Sequence, residues 1–477
     1  MIAIILVVAF ILRLISLTQS LWLDEAINVN AAAGLSLKSL ILKYSLGDFH
    51  PPLFHAILRG WILLFGSSEA VVRIPSVILE TLTVYITYLI GKKLFEGKTA
   101  LIAATLIATS PLHIYYSQEA RMYALAAFLT SLSAYFFISI IKKDNFYLWV
   151  GFIVATALML YTDYLPYLML PVYLMCLLTI RKKLSKSTVR AFIPALILII
   201  ILLIPWLIIF PKQLGVGLSA AAASPAWANV VGAPSAKSLA LVFVKFTIGR
   251  ISYDNKFIYA LLFAPAGIII ALLFLISLFR LSFSRLFLWF WLFGSIFLAF
   301  AIAYFIPIFA YFRFIFVLPA FYLILASAIN TLNWVLLTRV FLALVLIVNL
   351  ISSTIYLTSP KFQRENWRQA TAYVHKNSTE KTVVLFESNY PLAPFDYYNA
   401  KKVASYGGLN SFNPSEEKVR ERVKAFTKNK NKVFLFQYLS QITDPQGLLF
   451  KELTKEGFVT TVTKDFEGVG FVYEFNK

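Results

Sequence analysis

The sequence predicts a polytopic α-helical membrane protein of about eleven spans, carrying a small soluble α/β domain at its C-terminal end on the outer face. Three observations lead there. Of the 477 residues, 60% are hydrophobic and only 14% charged, against about 25% charged in a soluble globular protein. The apolar residues fall in blocks long enough to cross a bilayer, which takes about 20 residues as a helix. After residue 358 the blocks stop, and helix-period and strand-period segments alternate.

The expected spans are roughly 1–18, 70–91, 99–115, 122–141, 146–161, 164–180, 191–210, 256–279, 286–306, 311–330 and 338–357. The first block holds only Arg13, follows no charged segment and ends without a small-x-small cleavage site. It reads as a retained span rather than a cleaved signal. Residues 52–66 open with Pro-Pro and are too short to cross, so they read as a re-entrant or interfacial helix. The net charge of +20 sits mainly in alternate loops: Lys92, Lys93 and Lys98; Lys142 and Lys143; Arg181 to Arg190; Arg280 and Arg285; Arg339. Loops of that kind face the cytoplasm, so the charge points to no nucleic-acid partner. The N-terminus is then inside, and the loops 19–69, 116–121, 161–163, 211–255 and 307–310 are outside, with the tail. The single cysteine, Cys176, excludes an intrachain disulfide and a cysteine metal site.

The domain expectation is a membrane part over 1–357, with a first outer loop at 19–69 and a flexible outer loop at 211–255, and an extracytoplasmic α/β domain over 358–477. In the second, residues 365–376 and 415–426 read as helices, the latter with Ser415 as N-cap. Residues 382–388 and 432–439 read as strands, and 457–475 as a hairpin. The length of loop 211–255 and its small-residue stretch at 219–235 suggest a mobile flap over the site.

The membrane part has ten acidic residues, and seven of them lie in or beside the outer loops: Asp24, Glu25, Asp48, Glu69, Glu119, Asp163 and Asp254. Four patches gather chemistry there: SLWLDEAINVN (20–30), DFHPPLFH (48–55) with Asp48, His50 and His55, HIYYSQEARMYAL (113–125) with His113, Glu119 and Arg121, and YTDY (161–164) with Asp163. Carboxylates serve as general bases or hard-metal ligands, histidines join metal sites or titrate, and arginines grip phosphate. Plainer roles exist for each. Asp24 and Glu25 suit a helix start, His50-Pro-Pro suits a turn, Glu119 with Arg121 suits an interfacial pair, and Arg313 suits snorkelling to headgroups. What stands out is that all lie on one face.

The chain resembles bacterial GT-C glycosyltransferases of the protein-mannosyltransferase type (glycosyltransferase family 39-like). The resemblance rests on LWLDEA (21–26), HPPLFH (50–55), RIPS (73–76), SPLHIYYSQEARMYAL (110–125), YTDYLPYLMLP (161–171) and YFRFIFVLPAFYLILA (311–326), with ENWRQATAYV (365–374) after the last span. It implies a GT-C fold, a polyprenyl-phosphate-linked sugar donor and work on the outer face of the cell membrane. The acceptor would be a protein, lipid or cell-envelope glycan. By that resemblance Asp24 is the catalytic base and Glu25 shapes the loop. His50, Arg121 and Arg313 meet the donor phosphate, and Asp48, His55, Glu119 and Asp163 support the site. Related lipid-modifying members carry an acidic then a basic residue before Pro-Pro. Here Phe49 and His50 stand there, which leaves Asp48, His50 and Glu119 as the candidate ligands of a divalent cation (Mg, Mn or Zn). Two other classes compete. A lipid flippase or transporter would need charges at mid-membrane depth, for which Arg73 with Glu80 is the one charged pair in view. A non-catalytic scaffold would only display the outer domain.

Overall fold

The computed structural model describes residues 1–223, 232–332, 334–389, 391–409 and 415–477. It is a helical bundle with a five-stranded sheet domain at its C-terminal end, and the chain is a multi-pass membrane protein. Each of the eleven expected spans contains helix, but they are not equal. Among the described residues, eight helices are long and apolar enough to cross a bilayer: Glu69–Leu94, Tyr123–Lys142, Leu165–Lys183, Lys186–Leu207, Lys256–Leu278, Phe283–Ile302, Tyr311–Asn330 and Val335–Thr358. The span expected over 99–115 is instead two helices, Gly97–Ala108 and Pro111–Ser117, bent by 60°. Ser110 and Pro111 are the cause. Ser110 accepts the His113 N–H as an N-cap, and Pro111 starts a new helix that it could not have continued. Ile2–Leu14 and Phe146–Leu160 fall short of a full crossing, as does Leu53–Phe65, which lies where a short helix was expected.

The bend frees backbone carbonyls, and other helices satisfy them. Arg13, fully buried, donates to Ala108 O (3.1 Å), Ile107 O (3.4 Å) and His113 Nδ1 (2.6 Å). Asn349 donates to Leu106 O (2.9 Å) and Ser353 to Thr109 O (3.0 Å). In a bilayer such groups have no water to turn to. The Arg73–Glu80 pair does not form. Arg73 turns to Glu25, and Glu80 lies 2.5 Å from His113.

The expected loop 211–255 is largely helical, over Phe210–Ala223 and Ala236–Ile248. Its alanines and leucines favour helix over coil. Residues 224–231, the middle of the expected flap, lie outside the described residues.

In the tail, strands β1 (Thr382–Phe386), β2 (Ser405–Gly407), β3 (Lys432–Phe436), β4 (Val459–Phe466) and β5 (Gly470–Asn476) form one sheet in the order β2-β1-β3-β5-β4. The first three are parallel, and β4 and β5 run antiparallel as the expected hairpin. β1 is apolar throughout because both its faces are covered. Val384 and Phe386 pack with Trp367 and Phe395, while Val383 and Leu385 pack with Val419, Leu449 and Leu453. Helix Trp367–Asn377 and helix Glu416–Thr427, which starts at Ser415, lie where the sequence expects them.

Candidate active site

Asp24 and Glu25 are neighbours on the first turn of helix Leu23–Gly34, where the helix dipole favours negative charge. Successive helical residues point about 100° apart, so the two carboxylates face different surroundings. Glu25 is completely buried and takes both Arg73 Nε (2.8 Å) and Arg73 Nη2 (2.6 Å), together with the Ala120 N–H (2.9 Å). Burial alone would raise its pKa, but the Arg73 guanidinium overcomes that and holds the carboxyl below the usual range. Arg73 also donates to Leu17 O, Gln19 O and Ser20 O. The pair therefore fastens the start of the loop to helix Glu69–Leu94. The Asp24 side chain keeps 35% of its surface exposed.

Asp48 gathers the second patch. It ends a short helical run, and Phe49 then takes a left-handed conformation (φ 62°) before Pro51 and Pro52 open the next helix. That reversal folds His50 back onto the carboxylate. Asp48 Oδ2 lies 3.0 Å from both His50 Nδ1 and His55 Nε2. Arg121 Nη1 lies 3.6 Å from Asp48 Oδ1 and 3.6 Å from Asp24 Oδ2. Burial opposes ionisation of Asp48, but His55, His50 and Arg121 together hold its carboxyl well below the usual range. Tyr44 OH donates to Asn28 Oδ1 (2.5 Å) and Asp48 Oδ1 (3.4 Å). Gln213, from helix Phe210–Ala223, donates to His50 O (3.1 Å) and Ser45 O. The element expected as a flap thus rests directly on this patch.

A cationic and aromatic wall adjoins these carboxylates. The Arg121 guanidinium lies 5.9 Å from the Tyr123 ring centre, and the buried Nε atoms of Arg121 and Arg313 have no hydrogen-bond partner among the described residues. Glu119 turns away to Arg364 Nη1 (3.0 Å), and burial raises its carboxyl despite that partner. The Arg364 guanidinium lies 3.7 Å from the Tyr115 ring centre, and Arg250 lies 4.8 Å from it while donating to the Tyr115 hydroxyl (2.7 Å). Lys245 donates to Ile251 O and Ser252 Oγ, both at 2.7 Å, and burial lowers its ammonium to about 8.

The structure therefore brings together Asp24, Asp48, His50, His55 and Arg121, with Arg313 following Phe312, whose ring centre lies 5.8 Å from that of Tyr123. Glu25 and Glu119 each belong to a separate buried ion pair. Asp163 caps its own turn, accepting from the Tyr164 N–H (2.7 Å). Among the described residues, no group of three His, Cys, Asp or Glu side chains is placed to hold a metal ion. Asp48, His50 and Glu119 do not converge: Glu119 is taken by Arg364, and both histidines direct a nitrogen at the Asp48 carboxylate. The sequence reading overlooked Arg250 and Arg364. Arg250 carried no local signal that set it apart from Lys212, Lys237 and Lys245 in the same loop. Arg364 directly precedes the recognisable ENWRQ segment.

Residues 49–209 match the family described as dolichyl-phosphate-mannose-protein mannosyltransferase. No curated protein matches the sequence. In structure the chain is similar to ArnT from Cupriavidus metallidurans in the apo state (TM-score 0.60, 12% identity, 99% of this chain and 96% of that one). It is also similar to the same protein bound to undecaprenyl phosphate (TM-score 0.58, 13% identity, 99% and 96%). A third similar structure is the archaeal oligosaccharyltransferase AglB from Archaeoglobus fulgidus, in complex with an inhibitory peptide and a dolichol-phosphate (TM-score 0.55, 12% identity, 99% and 74%). The Archaeoglobus fulgidus oligosaccharyltransferase has also been crystallised with Zn and sulfate. The chain has the fold of these proteins.

Proposed function

We propose that this chain, a GT-C membrane protein, moves a sugar from a polyprenyl-phosphate-linked donor to an acceptor hydroxyl by a single inverting displacement, with Asp24 as the base. The observation that carries the reading is the pairing of a partly exposed carboxylate, Asp24, with a buried guanidinium, Arg121, 3.6 Å away. The reaction needs a proton acceptor facing an open space and fixed positive charge where a phosphate departs. Asp24 takes the acceptor proton as the acceptor oxygen bonds to C1 of the sugar. The bond from C1 to the phosphate oxygen breaks, and its electron pair leaves on the lipid phosphate. Arg121 and Arg313 carry unpaired Nε groups toward that anion, and His50 adds a donor.

The remaining site residues act indirectly. Asp48 orients Arg121 and both histidines, and Glu25 fixes the turn that presents Asp24. Glu119 and Asp163 hold neighbouring loops. The bundle over 1–357 is the transferase domain, and 358–477 forms a separate domain on the same outer face, with the N-terminus in the cytoplasm. That orientation follows from the loops rich in Lys and Arg. The undecaprenyl-phosphate and dolichol-phosphate complexes of the similar proteins support a lipid-phosphate donor in the cell membrane. The peptide bound to AglB keeps protein among the acceptors, beside lipid and glycan.

The test uses purified protein in lipid with a panel of radiolabelled polyprenyl-phosphate sugars, with and without chelator. Label leaves one donor in the wild type and stays in Asp24→Asn. Full turnover by Asp24→Asn removes the base assignment, and no turnover of any donor by well-folded wild type removes the transferase reading. Loss of turnover with chelator alone assigns a metal to the reaction.

A further inference from the structure

Helix Leu23–Gly34 carries Asp24, yet its start has no cap from its own loop. The N-cap residue, Trp22, makes no side-chain capping bond, and the first N–H groups of a helix need acceptors from elsewhere. One comes from the far end of the chain. The Glu365 carboxylate lies beside the Leu23 N–H, which favours its charged form. Its own position is set from the other side: Glu365 Oε2 accepts Trp367 Nε1 (2.6 Å) and Oε1 accepts the Tyr438 hydroxyl (2.8 Å). Trp367 stacks on Phe436 of β3 in the sheet core, against which Leu23 also packs. The same seam is fastened on either side. The Arg364 N–H donates to Gln19 Oε1 (2.9 Å), the Arg368 N–H to Ser20 Oγ (3.0 Å), and Asn30 Nδ2 to Ala393 O (2.9 Å).

We infer that Glu365 is a positioning residue of the transfer site, capping the Asp24 helix from the C-terminal domain and so fixing the direction of the Asp24 carboxylate. This rests on Asp24 being the base. Glu365 touches no reacting atom. The titratable groups facing it are Asp24, close enough for the two charges to act on each other, and Tyr438. Arg364 turns from it to Glu119, and Arg368 turns to Glu69. Burial, offset in part by its donors, pushes the Glu365 carboxyl up to about 7. As pH rises through that value the new charge strengthens the cap against the helix dipole.

The experiment measures kcat and donor KM from pH 5.5 to 8.5, with Tm, for full-length protein in lipid and a donor the wild type turns over. Glu365→Ala lowers kcat by about tenfold or more, as a mispointed catalytic group does, with donor KM within about twofold. Glu365→Gln keeps one acceptor oxygen and loses less, but the rise in kcat near pH 7 disappears. Should Glu365→Ala fail to fold, Tyr438→Phe decides: it removes a bond that favours ionised Glu365, so the rise moves to higher pH. Variants that match the wild type, a parallel fall of kcat, KM affinity and Tm, or an unmoved inflection in Tyr438→Phe overturn the positioning role. A wild type that turns over no donor overturns the transfer reading instead, and this one with it.

Discussion

Two adjacent carboxylates on one helical turn have opposite fates, and burial decides which is which. Glu25 is sealed against Arg73, so Glu25→Gln leaves a buried guanidinium uncompensated. That costs about 3–5 kcal/mol, read as a large drop in thermal stability in detergent. Asp24→Asn changes stability little, because its side chain is partly exposed. The Glu25 contribution has a defined pH window. Its folded pKa is depressed, so the stabilisation is present above the unfolded value of about 4.3 and is lost as pH falls through the lower folded value. The LDEA motif was visible in the sequence, and so was the idea that Glu25 shapes the loop. Its partner was not. Arg73 lies 48 residues away, and a guanidinium near the end of a span carries no local mark of the carboxylate it meets.

At the scale of elements, residues 99–115 were expected as one span, although the break at Ser110-Pro111 left a local mark that its rescue did not. A Ser-Pro pair is a helix start, whereas the polar side chains that satisfy the freed carbonyls come from Arg13, Asn349 and Ser353 on two distant helices. The expected loop over 211–255 failed for a related reason. Length suggested a loop, while local helix propensity and packing on the His50 patch made helices. Strands β1 and β3 were legible because a strand buried on both faces is a short apolar run, whereas the three-residue β2 was not read. One property of β1 was not. Glu387, just past its end, is pushed up to about 8 by burial and then by Asp444. A raised acid stabilises the fold fully below its unfolded pKa of about 4.3, and that contribution is lost as pH rises through 8. Protection of the β1 and β3 amides in hydrogen exchange therefore falls between pH 5 and 8.5, and Glu387→Gln flattens that dependence.

Over the whole molecule, the candidate site lies at the end of helix Glu69–Leu94 where Arg73 meets Glu25, and the lysine-rich turns at its other end, where Lys142 bonds Lys93 O and Ser284 bonds Leu94 O (2.9 Å). Charge bias along the sequence was enough to find that polarity. The seam joining the first loop to the sheet domain was not legible, because each of its bonds spans hundreds of residues. Its weight is testable: a chain stopped after Ser359 inserts but transfers no sugar, since the Asp24 helix loses Glu365 and Glu119 loses Arg364. Full transfer by that shortened chain in the same assay would remove the seam from the function. The bond from the Arg368 N–H to Ser20 Oγ spans 348 residues, which gives the seam a place in time. The ribosome makes the loop bearing Asp24 first and its clamps only after the whole membrane bundle. A nascent chain therefore holds the seam unmade through most of its synthesis, and the Asp24 helix gains these clamps only once the segment from Arg364 onward has folded against it.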